Sequence, residues 1–135
     1  MEEIIELMHE KNHYLEKFYS LNKSELGRIA VGNYENLQSF YQNRDKLLEL
    51  VQYIDEKMDN LNHQTHAVEL MTKRDRERVL RCLERKDELA KEIIDQDLII
   101  IGHIERAKAD IIRDIGTLRQ SRKAIRGYRS DNIGG

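Results

Sequence analysis

The residues best equipped for chemistry are His9-Glu10-Lys11-Asn12-His13, which match the His-Glu-x-x-His pattern of zinc peptidases letter for letter. That chemistry needs two histidines one helical turn apart on zinc, a glutamate as general base, a third protein ligand and a cleft that excludes water. Counting about 100° per residue puts His9 and His13 roughly 160° from the centre of the apolar stripe around Lys11, on the outer face. No third ligand accompanies them downstream. No metal, no cofactor and no catalytic residue are therefore expected, and a zinc peptidase is a remote alternative. His63, His66 and His103 read as solvent-facing bystanders. Glycine-rich phosphate loops, Ser/His/Asp sets and paired carboxylates on a buried helix face are missing from the sequence as well, so an enzyme is not expected.

The elements that carry these residues are helices. The chain has 135 residues, no proline, few aromatics and 36% charged side chains. Lacking the strongest helix breaker and rich in Glu, Lys, Arg and Leu, it reads as all-α, in one domain over residues 1–129. The expected architecture is an antiparallel helical bundle of three long helices plus a short C-terminal helix. Helix 1 should span about 2–30, with Ile4, Leu7, Met8, Phe18, Leu26 and Ile29 on its buried side. Gly32-Asn33 should end it, glycine giving a left-handed turn and asparagine a cap. Helix 2 should span about 34–59, where Leu37, Phe40, Leu47, Val51, Ile54 and Met58 keep one register. Arg44 shares that register and is expected to reach past the seam to the surface along its apolar stem.

The polar run 60–64 reads as a turn, with Thr65 as the cap of a third helix over about 66–114. From there to the C-terminal region Ile94, Ile101, Ile104, Ile111, Ile115, Leu118 and Ile125 recur in steps of three, four or seven, the period of one helix face, as a scaffold on which other helices pack. Gly116 precedes Thr117-Leu118-Arg119-Gln120, which has the form of a capping box. Gly116 and Thr117 are expected to form a hinge, followed by a short helix over about 118–126 and a disordered tail at 130–135. Gly102, Ala109 and Gly116, seven apart, offer a side on which another helix could approach closely.

Charge is uneven. Residues 1–71 hold thirteen acids and seven bases, −6, and residues 72–135 hold twelve acids and sixteen bases, +4. Between Ile115 and Ser130 there is no acid, while Arg119, Arg122, Lys123, Arg126 and Arg129 all occur. Such bases complement a helix C-terminus, or they meet an acidic partner. Five bases and one tyrosine on a chain of negative total charge are a weak footprint for nucleic acid, and none is expected. One cysteine, Cys82, excludes an internal disulfide and suits a reducing compartment. The acidic start and the lack of a long apolar run lead to the expectation of a cytoplasmic protein without membrane insertion.

Three stretches resemble the FliT-type flagellar export chaperones. Gly32-Asn33-Tyr34-Glu35-Asn36-Leu37 is similar to that family's opening of the second helix. Asp95, Gly102, Gly116 and Tyr128 resemble its spacing of acid, glycines and tyrosine, and Leu118 to Tyr128 resembles its basic run ending in tyrosine. The resemblance implies a helical chaperone without ATPase activity that binds a flagellar export substrate, the filament cap protein, and delivers it to the export gate. By motif match, Tyr128 would bind the gate's cytosolic domain, and the C-terminal helix would move for cargo to bind. Phe40, Tyr41 and Leu48 of helix 2, with Leu118 and Ile125 of the tail, are the expected substrate-binding residues. The export ATPase complex is a further candidate partner. A FlgN-type chaperone of hook–filament junction proteins and a helical adaptor of the export apparatus are the alternatives.

Overall fold

The computed structural model describes residues 1–127 in full; from residue 128 on, side chains are not described, and Gly135 is not described at all. The chain is all-α, and no strand occurs among the described residues. Its helices are α1 (Glu2–Ala30), α2 (Leu37–Thr65) and α3 (Lys73–Gly134). Two compact units divide it, Met1–Ile99 and Ile100–Gly135, and α3 contributes residues to both.

Local chemistry sets the ends of the helices. At the end of α1, Gly32 N–H donates to Ile29 O at 2.9 Å and Asn33 N–H to Arg28 O at 2.9 Å. That paired pattern needs a left-handed residue, and Gly32 supplies it with φ +77°. Asn33 does not cap α2; its side chain accepts from Glu35 N–H at 3.1 Å within the link. α2 outlasts the expected turn. Asn60 to Gln64 stay helical, and Thr65, expected to cap the next helix, bonds back to Leu61 O at 2.7 Å inside α2. His66 ends α2 in the left-handed region at φ 50°. The cap of α3 is Thr72: Asp75 N–H donates to Thr72 Oγ1 at 3.1 Å, and Thr72 N–H to Asp75 Oδ2 at 3.4 Å.

Within Met1–Ile99, polar pairs fix how the helices run. Lys11 meets Asp55 at 2.7 Å and Asn36 donates to Glu25 at 3.1 Å, so α2 runs against α1. Glu2 meets Arg78 at 2.6 Å and Asn22 donates to Asp97 at 3.1 Å, so α3 runs with α1. Buried Asn12 donates to Cys82 O at 3.0 Å, and Gln96 donates to Tyr19 O at 3.1 Å. Each amide reads the backbone of the facing helix, which pins the register of α1 on α3. Around these pairs lie Ile5, Phe18, Ile29, Phe40, Ile54 and Leu89, all buried. Arg44 does not reach for open solvent. It bonds Asp97 Oδ2 at 2.6 Å and lies 5.0 Å from the centre of the Phe18 ring. Asp97 thereby ties α1, through Asn22, to α2.

Glu25 is fully buried, and its Oε2 accepts from Arg28 at 3.1 Å and from Asn36 at 3.1 Å, while Oε1 has no partner among the described residues. Burying polar oxygens is costly unless donors meet them. Asn36→Ala removes one of the two donors and is expected to lower stability by about 1–3 kcal/mol. A chemical-denaturation curve checks this, with a lower midpoint at unchanged slope.

Candidate functional site

The second unit presents apolar side chains on a helix. Ile111 (59%), Ile112 (70%), Ile115 (44%), Leu118 (59%) and Ile125 (53%) are all exposed. From Ile111 to Gly127 no residue is buried, and Gly116 alone is even half-buried. The positions 111, 115, 118 and 125 keep the 3.6-residue period, so they share one face. This corrects the expectation of a scaffold: the register is the one foreseen, but the apolar side chains of this stretch are exposed rather than packed. The bases Arg119, Arg122, Lys123 and Arg126 are exposed as well. At about 100° per residue, Arg122 falls inside the apolar face and Arg119 and Arg126 lie along one edge of it.

The expected break at Gly116 does not occur; α3 continues through it. Thr117 Oγ1 donates to Arg113 O at 3.0 Å, one turn back, instead of capping a new helix. The glycines do not serve a close helix approach. A Cβ on Gly116 would meet nothing within 4 Å, and one on Gly102 only Arg106 Nη2 at 3.9 Å. Tyr128, like the tail 130–135, lies outside the residues whose side chains are described.

On α2, in the first unit, Tyr41 (42%) and Leu48 (48%) are exposed, whereas Phe40 is fully buried at 0%. Phe40 therefore belongs to the core, and its ring is not presented to a partner in this conformation. Tyr41 leans on it, with ring centroids 5.3 Å apart and planes at 60°. Tyr41 and Leu48 lie in one unit and Leu118 and Ile125 in the other.

His9 and His13 are exposed, as the helical wheel requires, yet they do not face open solvent alone. Both line a groove of the first unit whose far wall belongs to α3. Cys82 Sγ lies 3.7 Å from His9 Nε2 and 3.8 Å from Nδ1. Burial pushes the Cys82 thiol up from its ordinary range, against the opposing pull of Arg78 and Arg81. Among the described residues no three His, Cys, Asp or Glu side chains gather to hold a metal ion. None of the helices, among the described residues, is long and apolar enough to cross a membrane.

Comparison with known proteins gives no family model, no curated protein and no solved structure that matches the chain.

Proposed function

We propose that the protein is a helical binding protein that lends the exposed apolar face of α3 to another polypeptide and makes or breaks no bonds. The observation that carries this reading is the row Ile111, Ile115, Leu118 and Ile125, left open along four turns of helix. Monomeric proteins rarely expose large contiguous apolar patches, and an apolar helix face rimmed by charge is a recognised seat for a partner helix. The three helices of Met1–Ile99, running up, down and up, form an antiparallel bundle that acts as the rigid mount.

The resemblance of the 32–37 and 118–128 stretches to FliT-type chaperones gives the reading its biology. The client is a flagellar export substrate, the filament cap protein, and the destination is the export gate. Leu118 and Ile125 contact the client, with Tyr41 and Leu48 as a second apolar patch. Tyr128 docks on the gate, and Gly116, lacking a side chain, is where α3 gives when the client binds. The assignment of Tyr128 has its own test. Tyr128→Ala is expected to abolish binding to the gate's cytosolic domain and to leave client binding unchanged, both read by titration calorimetry. Loss of both, or of neither, contradicts it.

A further inference from the structure

The groove beside His9 has a second character, independent of the apolar face of α3. It has a volume of about 440 Å³ and lies wholly within the first unit. Its α3 wall presents Arg78, Arg81 and Arg85, whose steps of three and four put all three on one side of the helix. The α1 wall presents His9, His13 and Glu16 with the same spacing reversed. Glu16 is thus the one carboxylate in the lining, set against three guanidinium groups.

Two of those guanidinium groups are held from the rim. Glu2 grips Arg78 at 2.6 and 2.9 Å, and Arg85 is shared between Glu16 at 3.4 Å and Glu88 at 3.2 Å. A guanidinium has five N–H donors, so each keeps others for a ligand while its position is fixed. Arg81 has no ion pair among the described residues. The floor is Asn12, bonded to the Cys82 carbonyl, and the Cys82 thiol, which burial keeps in its neutral form. The floor thus carries no carboxylate, and Glu16, the one in the walls, is paired with Arg85.

We infer that this groove binds a phosphate-bearing small molecule, with Arg81 engaging the phosphate directly and Arg78 and Arg85 flanking it. The planar guanidinium fork matches a phosphate edge with two parallel bonds, which makes arginine the preferred partner of that group. The volume falls within the roughly 300–1,000 Å³ usual for small-molecule sites and exceeds what a lone phosphate fills. The imidazoles of His9 and His13 add donors on the opposite wall.

Titration calorimetry of the full chain at low salt, with inorganic pyrophosphate and with ADP, tests the inference. The expected result is sub-millimolar binding of pyrophosphate that weakens about tenfold or more in Arg81→Ala and recovers in part in Arg81→Lys. Lys46→Ala, which removes an exposed base on α2, should leave it unchanged. Tighter binding of ADP than of pyrophosphate assigns the rest of the groove to a nucleoside; equal binding assigns the phosphates alone. No binding of either ligand, equal weakening in Arg81→Ala and Lys46→Ala, or preference for a glutamate-rich peptide over pyrophosphate overturns it.

Discussion

Phe40→Ala is expected to destabilise the first unit by about 3–5 kcal/mol, the usual cost of replacing a buried phenylalanine by alanine. Phe40 is 0% exposed, one of the largest fully buried side chains in the protein. The loss has two parts, the hydrophobic transfer of the ring and the cavity left where neighbours cannot collapse. Domains of this size have roughly 5–15 kcal/mol in total, so the variant should melt more than about 10 °C lower. Its neighbour separates the two roles an aromatic residue can have here. Tyr41 is 42% exposed, so Tyr41→Ala should cost far less, within about 1 kcal/mol. Similar melting temperatures for the two variants would mean that Phe40 is not the core residue its burial indicates.

Leu118→Gln should have the opposite profile, with folding intact and partner binding lost. The leucine is 59% exposed and glutamine is nearly as good a helix former, so stability should change by no more than about 0.5 kcal/mol. Burying a leucine against a partner contributes about 1.5–3 kcal/mol, which puts the loss of affinity at roughly tenfold or more. Circular dichroism together with a client titration distinguishes this from misfolding. A variant that melts early would place Leu118 in the protein's own core.

Helical class was legible because it rests on local properties: no proline, strong helix formers and a 3.6-residue period. The end of α1 was legible too, since a left-handed turn after Ala30 requires Gly32. The α2–α3 link was misplaced because Asn60 and Asn62 favour turns yet tolerate helix, and the stronger signal lay further on, in Thr72 and Asp75. Thr117 and Gln120 carry a similar signal, but the good helix formers on both sides of Gly116 carry α3 through it.

The face of α1 toward α3 was hidden for a different reason. It includes buried polar Asn12, bonded to the Cys82 carbonyl, which a search for apolar period passes over. That face turns the surroundings of His9 and His13 from bare surface into a groove wall. The apolar period of α3 showed a sticky face correctly. Whether the chain itself covers such a face is a tertiary fact: the period of Ile111 and Ile115 suits a packed scaffold, yet both stand open. Phe40 carries two conflicting signals, the register of the core and the type of a binding anchor, and in this conformation it lies in the core.

The decisive measurement is a titration of the purified protein with the C-terminal segment of a filament cap protein at 0.1 M and at 1 M salt. Apolar contacts along Ile111, Ile115, Leu118 and Ile125 predict binding that persists at the higher salt and disappears in Leu118→Gln. Binding that collapses with salt, as electrostatic attraction to the basic residues alone would, or that ignores the substitution, would contradict it.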